Sequence, residues 1–177
     1  NISSSSYAVI YKGSGTGIID NIRIIGNYID GGYYGIYLYG QGTGIANYNT
    51  NIYIDSNEIT NAYYYTNYFY YNSFKSISNN TISSGTTTKS GYFYGFYMIY
   101  ADVERLCNNK VFTRVTMSST VYGILTQYLN TSTTGMPNAL YANNEIRLNG
   151  SSSIYPMYLY YANVDVIHNS IYANSTS

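Results

Sequence analysis

Charged side chains are scarce in this sequence of 177 residues, at 9% of the chain, against about 25% in a typical soluble domain. Eight Lys and Arg balance eight Asp and Glu, so the net charge is zero. A protein that binds duplex nucleic acid needs a basic surface to displace the counterions of the phosphates. The composition therefore argues against a nucleic-acid partner.

Cysteine, histidine and long apolar runs are equally scarce. Cys107 is the single cysteine and His168 the single histidine, so the chain can form no internal disulfide and no histidine-based metal site or triad. No stretch reaches the roughly 18 apolar residues of a membrane span, so we expect no membrane insertion. We also expect no cofactor and no metal. Cys107 is interpreted as structural and His168 as an exposed turn residue.

Tyrosine is abundant instead, with 27 copies, and Asn, Ser, Thr and Gly supply most of the polar surface. The chain is long enough for a single domain, residues 1–177, with a core of its own. The uncharged Tyr, Asn, Ser and Thr surface favours an extracellular location, at the cell surface. The sequence begins inside a repeat, without an initiator Met or a signal peptide, so we expect a segment of a longer extracellular protein.

An asparagine recurs six times in one sequence frame, with an apolar residue three positions before it and Ile or Val two positions after it. The spacings between successive asparagines are 30, 23, 29, 35 and 25 residues, a period typical of repeat architectures. The six asparagines are Asn27, Asn57, Asn80, Asn109, Asn144 and Asn169.

Each frame predicts two short strands joined by a two-residue bend. Residues 21–24 alternate polar and apolar, which is the pattern of a strand with one buried face. Asn and Gly are frequent at the bend and tolerate the left-handed backbone that a sharp corner needs. A further strand precedes most frames, as in Tyr34–Leu38 and Tyr94–Met98. The sequence therefore predicts an all-β parallel β-helix of about six coils, each with three short strands, and an asparagine ladder at one bend.

A β-sandwich with Asn turns is the alternative, but a sandwich does not need the same corner residue at every turn. The frames and their flanking strands resemble the right-handed parallel β-helix repeats of the pectate-lyase-like superfamily, in which an Asn ladder fills a two-residue bend between the second and third strands. The resemblance covers nearly the whole chain. It implies a right-handed parallel β-helix, whereas the superfamily includes lyases, hydrolases, phage tailspikes and non-catalytic surface proteins.

The resemblance also implies where chemistry should lie. Lyases of the superfamily bind calcium through acidic residues and use an Arg or Lys base, mostly on the outer face of the first strand, and the polygalacturonase-like members use Asp pairs there. The corresponding stretches 34–39, 94–100, 122–126 and 155–160 contain no charged residue. We therefore expect a non-catalytic member, with no catalytic residues.

The remaining charged residues are predicted to be structural. Lys75 and Glu104 each lie five positions before a ladder asparagine, so adjacent coils should bring them together. Lys110 and Glu145 directly follow their asparagines and should pair in the same way. Asp102 stands two positions before Glu104, and a regular strand would place both carboxylates on one face. A glycosidase-like carboxylate pair is the alternative interpretation of these two residues.

Tyrosines of the first strand are the candidate binding residues. If Ile36 and Leu38 point into the helix, the tyrosines between and after them point out, and stacked coils line them into an aromatic stripe. A rigid amphipathic aromatic surface suits sugar rings or a protein partner, although aromatic residues also favour strands for structural reasons alone. The candidates are Tyr37, Tyr39, Tyr70, Tyr97, Tyr158 and Tyr160.

These observations leave three functions open. The first is a non-catalytic extracellular structural or adhesive module, which in its stronger form assembles end to end or laterally into a fibre or sheath. The second is a carbohydrate-binding or polysaccharide-degrading β-helix, with a groove walled by segments 40–50 and 128–138. A phage-tailspike-like domain is the third. The expected partners are therefore further copies of the chain or glycans.

Overall fold

A computed structural model describes residues 7–86 and 91–175 of the protein. In these ranges the helical elements are two 3₁₀ turns, Ser14–Thr16 and Ile45–Asn47, and the other regular elements are strands. Among the residues described, no helix has the length and apolar character needed to cross a membrane. The strands, in chain order, are β1 (Ala8–Lys12), β2 (Arg23–Ile25), β3 (Tyr28–Asp30), β4 (Tyr34–Tyr39), β5 (Asn49–Asp55), β6 (Glu58–Thr60), β7 (Tyr65–Ser78), β8 (Thr81–Ser83), β9 (Phe93–Val103), β10 (Arg105–Cys107), β11 (Lys110–Phe112), β12 (Val121–Leu129), β13 (Ala139–Ala142), β14 (Glu145–Gly150), β15 (Ile154–Ala162), β16 (Val164–Ile167) and β17 (Ser170–Ser175).

The strands stack in parallel as six coils with three strand positions each. The first position holds β1, β4, β7, β9, β12 and β15, in that order along the axis. The second holds β2, β5, the C-terminal half of β7, β10, β13 and β16. The third holds β3, β6, β8, β11, β14 and β17. The predicted parallel β-helix of about six coils is therefore confirmed.

The third coil departs from the predicted pattern of separate short strands. β7 runs through both the first and the second position as one strand of 14 residues, and the corner between the two positions lies inside it. The second and fifth coils insert loops at this corner. Residues 40–48 form such a loop in the second coil, and residues 130–138 form one in the fifth.

The core is built from columns of apolar residues that occupy the same position in successive coils. In-register pairing places an apolar side chain above another at each level, so one stripe of residues per strand position is buried. The column of the second position consists of Ile24, Ile54, Ile77, Leu106, Tyr141 and Val166. The column of the third position consists of Ile29, Ile59, Ile82, Val111, Ile146 and Ile171.

The asparagine ladder lies at the bend between the second and third positions. The backbone N–H and the side-chain Nδ2 of each asparagine both donate to Oδ1 of the asparagine in the next coil, at 2.8–3.1 Å. From Asn57 onward, Nδ2 also donates to a carbonyl of the preceding coil. The first bend residue has positive φ in all six coils, from 53° at His168 to 69° at Gly26. The predicted ladder and its left-handed bends are confirmed.

Glycine is required at two levels on the inner side of the first position. A Cβ atom added to Gly95 would lie 2.4 Å from the carbonyl oxygen of Gly123 and 2.5 Å from Cγ1 of Val111. A Cβ added to Gly123 would meet the next coil in the same way, 2.5 Å from the carbonyl oxygen of Pro156. The coils therefore approach each other closely at these two glycines, whereas Thr66 and Pro156 occupy the same line in the third and sixth coils.

The two end coils differ in how they close the core. In β1, Lys12 takes the interior position that Leu38 and Phe69 fill in the next two coils, and its Nζ donates to the carbonyl oxygens of Gly13 and Tyr39 at 3.0 Å. An inward-pointing charge of this kind protects an edge strand from pairing with another chain. At the other end, Ile171 is 49% exposed although it continues a buried core column.

Candidate functional site

Tyrosine rings cover the outer face of the first-position strands in four columns that run along the axis. We call this surface the tyrosine face. The Tyr34 column consists of Tyr34, Tyr65, Tyr94, Tyr122 and Tyr155. The Tyr37 column consists of Tyr11, Tyr37, Tyr68, Tyr97 and Tyr158, and the Tyr39 column of Tyr39, Tyr70 and Tyr160. The corner column, where each chain segment turns toward the second position, consists of Tyr71, Tyr100, Tyr128 and Tyr161.

The rings stack face to face within each column because parallel in-register pairing puts identical side chains one strand spacing apart. Centroids in the Tyr34 column are 4.6–5.3 Å apart, with interplanar angles of 4–16°. Rings of the Tyr34 and Tyr37 columns also meet edge to face within a coil, as Tyr94 and Tyr97 do at 5.3 Å. The tyrosine face is therefore an interlocked aromatic layer, continuous along the Tyr34 column, rather than a set of isolated rings.

The six tyrosines predicted as binding residues all lie on this face, in two neighbouring columns. Tyr37, Tyr97 and Tyr158 belong to the Tyr37 column, which Leu125 interrupts between the last two. The other three, Tyr39, Tyr70 and Tyr160, form the Tyr39 column, and two non-tyrosine residues separate Tyr160 from the rest, namely Ile99 and Gln127.

Sequence reasoning missed the Tyr34 column, the corner column, Tyr11 and Tyr68 as parts of this surface. The signal for the Tyr34 column is the tyrosine that opens most first strands. Tyr68 was visible in the degenerate third copy of the first strand. The corner tyrosines recur at the period of the coils, and that recurrence is the signal that could have identified them.

Several phenols of the tyrosine face are held in the neutral form by their surroundings. Burial against neighbouring rings, reinforced by repulsion between the phenolates, raises the pKa of Tyr37, Tyr70 and Tyr94 to about 12. The same causes raise the pKa of Tyr65 and Tyr68. No Asp, Glu, Lys or Arg lies in residues 34–39 or 93–100 to counter this effect. The surface therefore offers aromatic rings and hydroxyl groups, and no formal charge.

The corner column has an unusual backbone. Tyrosine at positive φ is disfavoured because Cβ approaches the following carbonyl oxygen. Ring stacking nevertheless continues through the column, at 4.6 Å and 8° between Tyr100 and Tyr128. The φ values are 57° at Tyr71, 49° at Tyr100, 56° at Tyr128 and 47° at Tyr161.

A cavity of about 350 Å³ lies beside the loop of residues 130–138, and Asp102 and Glu104 both line it. Asp102 is buried and bonded through Oδ2 to the Ser132 hydroxyl, while its Oδ1 has no hydrogen-bond partner. Burial raises the pKa of this carboxyl, against the opposing effect of the Ser132 bond. Glu104 is exposed and paired with Lys75. The two carboxylates lie on one side of the chain, as expected, with Val103 between them buried in the core, although β9 ends at Val103 and Glu104 follows it.

The predicted ion pairs are both present. Lys75 contacts Glu104, and Nζ of Lys110 lies 3.4 Å from Oε2 of Glu145. Each pair joins adjacent coils in register, and each is substantially exposed to solvent. Both pairs are therefore structural contacts of modest strength.

The single cysteine and the single histidine take no part in a cluster. Cys107 is half-buried, and its thiol donates to the Leu140 carbonyl oxygen at 3.6 Å. His168 is exposed at the first bend position, as predicted. Within residues 7–86 and 91–175, no group of three or more His, Cys, Asp or Glu side chains is arranged to hold a metal ion.

Comparison with known proteins identified no matching family model, and no curated protein or solved structure matched the chain either. The strand pairing alone defines the fold as a parallel β-helix. Its likeness to the pectate-lyase-like superfamily rests on the sequence repeats.

Proposed function

We propose that the chain is a non-catalytic structural and adhesive module that acts outside the cell, with the tyrosine face as its contact surface. The observation that carries the proposal is the face itself. Its rings are locked by stacking, so they lose little conformational freedom when a partner covers them. Tyrosine supplies apolar area and a hydroxyl at the same time, which is the chemistry that recognition surfaces use.

The dimensions of the face favour a weak or repeated contact. Six coils at about 4.8 Å each span roughly 30 Å, and six residues along a strand span roughly 20 Å. The resulting area of roughly 600 Å² is below the ~800 Å² per partner of a standard stable interface. Adhesion through many copies fits such a surface better than a single tight complex does.

A second copy of the chain is the partner that we propose, in lateral association. The neutral tyrosine face is free of like-charge repulsion against itself. End-to-end association has mixed support. Val166 and Ile171, both exposed, would be buried by a further coil, whereas the inward-pointing Lys12 blocks pairing at the first coil. A glycan is the alternative occupant of the same face, because sugar rings stack on aromatic rings.

Sedimentation velocity over a wide concentration range tests this proposal. The wild type should self-associate, and Tyr39→Lys combined with Tyr160→Lys should shift the chain to monomer by placing charge on the face. The matched control is Tyr28→Lys combined with Tyr172→Lys, since both tyrosines are exposed on third-position strands. A monomeric wild type at all concentrations, or equal effects of the two double variants, would contradict lateral association. A glycan array with both double variants tests the alternative occupant.

A second candidate function is cleavage of a polysaccharide in the Asp102 cavity. The observation that favours it is that two carboxyl groups line one cavity. Burial raises the pKa of one of them, Asp102, which is the direction that a general acid in glycoside cleavage requires. Wild type and Asp102→Asn should then differ in release of reducing ends from neutral and acidic polysaccharides. Equal, background-level release by both would eliminate this candidate.

A further inference from the structure

The corner column uses tyrosine where the backbone favours other residues. In the part of the chain that the structure describes, the other non-glycine residues with positive φ are Asn, Ser or His, which suit that conformation or expose a small polar side chain. Backbone geometry therefore does not explain four tyrosines in one column. What the four share is a stacked phenol ring at the edge of the tyrosine face.

The rings of this column are neighbours in space and distant in sequence. Centroid distances are 5.3 Å for Tyr71–Tyr100, 4.6 Å for Tyr100–Tyr128 and 5.5 Å for Tyr128–Tyr161. The interplanar angles of these pairs are 14°, 8° and 4°. Each pair joins successive coils, so a covalent bond between two rings would tie one coil to the next.

We propose that the corner column is a site of oxidative cross-linking, where a peroxidase-type one-electron oxidant with hydrogen peroxide joins tyrosines of adjacent coils as dityrosine. This proposal is independent of the adhesive function and of any partner on the tyrosine face. It adds a modification site whose product is an intrachain staple.

The coupling of Tyr100 with Tyr128 is a two-electron oxidation of the chain. Each phenol loses one electron and its hydroxyl proton and becomes a phenoxyl radical. The two radicals form a carbon–carbon bond between ring carbons ortho to the oxygens, and the hydrogens on those carbons move as protons to the oxygens, which restores two phenols. The chain loses two electrons and two protons, and one hydrogen peroxide takes them up and becomes two waters.

Exposure at one end of the corner column gives an oxidant a point of entry. Tyr161 is 66% exposed, so an oxidant reaches it directly and its proton passes to water. Tyr160 contacts it edge to face at 4.6 Å. Tyr37 and Tyr94 are half-buried under their neighbours, and burial raises their pKa to about 12, which disfavours proton release there. A radical formed at Tyr161 can pass along the stack to Tyr128 and Tyr100 through rings in contact.

The test treats the intact chain with horseradish-type peroxidase and hydrogen peroxide, then maps linked peptides by mass spectrometry. Cleavage at Lys75, Arg105 and Arg147, among other sites, places the four corner tyrosines on four different peptides. We expect linked peptides lighter than the sum of their parts by two hydrogens and carrying dityrosine fluorescence. At micromolar protein, effective concentration should make intrachain links about tenfold more abundant than interchain ones.

Tyr128→Phe is the decisive variant because it keeps the ring in the stack and removes the phenol. It should abolish the Tyr100–Tyr128 and Tyr128–Tyr161 links. The Tyr71–Tyr100 link should remain, at a reduced level, through direct oxidation of these two partly exposed rings. Tyr172→Phe is the matched control. Tyr172 is exposed and has no ring contact within residues 7–86 and 91–175, so its loss should leave the corner links unchanged.

Three results would overturn the proposal. The first is oxidation without linked corner peptides. The second is an unchanged set of links in Tyr128→Phe. The third is a pattern dominated by interchain links through isolated tyrosines such as Tyr28. Chain unfolded in guanidinium before oxidation should lose the preference for corner pairs, because only the coil register brings them together.

Discussion

Asn109 donates both its backbone N–H and its side-chain Nδ2 to one oxygen, Oδ1 of Asn144, at 3.0 and 3.1 Å. Its second amide hydrogen reaches the Ile77 carbonyl oxygen at 2.8 Å. Replacing Asn109 with Ala would keep the backbone N–H bond to Asn144 Oδ1 but remove both Nδ2 bonds, and it would leave two donors of Asn80 without their acceptor. We expect a loss of roughly 3 kcal/mol in the free energy of unfolding, measured by urea denaturation.

The control for the ladder is the neighbouring bend residue. Asn79 is exposed and has φ of 59°, a conformation that glycine adopts without strain. Asn79→Gly should therefore change the free energy of unfolding by under about 1 kcal/mol. Losses of equal size in the Asn109 and Asn79 variants would show that the ladder bonds contribute little.

Gly95→Ala tests the close approach of the coils. The added Cβ would lie 2.4 Å from a backbone oxygen of the next coil, so the coils must separate locally. We expect destabilisation of roughly 3 kcal/mol, read from the urea midpoint. At Gly42 nothing lies within 4 Å of an added Cβ, so Gly42→Ala should be neutral or slightly stabilising. A tolerated Gly95→Ala would show that the stacks shift more easily than the geometry indicates.

Alkaline pH should unfold the chain through its buried phenols. The pKa of Tyr37 is about 12 in the folded chain against 10.0 for free tyrosine. Its contribution to stability is therefore complete below pH 10 and is lost as pH rises toward 12. Tyrosinate absorbance and circular dichroism should report a late group of phenols that titrates together with unfolding. Tyr37→Phe should have a weaker alkaline decline, whereas Tyr28→Phe should match the wild type.

Asp102 should destabilise the chain at neutral pH. Burial raises the pKa of Asp102 above its ordinary 3.8, so the folded chain binds a proton that the unfolded chain has released. The contribution of Asp102 to the free energy of unfolding is therefore greatest below pH 3.8. It decreases as the pH rises through the pKa that Asp102 has in the folded chain. Asp102→Asn should remove that fall and equal or exceed wild-type stability at pH 7. Denaturant midpoints of the wild type and of Asp102→Asn, measured from pH 3.5 to 8, test this prediction. A large loss of stability in Asp102→Asn at pH 7 would contradict it.

The contacts that the sequence predicted are those between residues that lie the same number of positions from a ladder asparagine. Lys75 and Glu104 stand at the same offset from their asparagines, so the coil register brings them together whatever the loops do. The same logic gave Lys110 and Glu145. The positive φ at the bend followed from Gly26 and the asparagines, because their preference agrees with the geometry of the corner.

The parts that sequence did not predict depend on contacts between segments. Asp102 is buried because the loop of residues 130–138 folds over it, and nothing local to Asp102 indicates this. Tyr71 and Tyr100 adopt a conformation that tyrosine disfavours, since stacking between coils outweighs the local preference. The three tyrosines of the Tyr39 column were predicted individually. The interruption of the column by Ile99 and Gln127 was not predicted, because it depends on the register of every coil.

The interval from Asn57 to Asn80 is 23 residues, the shortest in the ladder, and β7 closes that coil without a loop at its first corner. This coil therefore has the smallest circumference of those between the ladder asparagines. Longer intervals, such as the 35 residues from Asn109 to Asn144, exceed that circumference by their loops and leave the stacked strands in place. Each coil is thus an interchangeable unit, so evolution or design could lengthen, shorten or decorate the rod one turn at a time while the aromatic layer stays in phase.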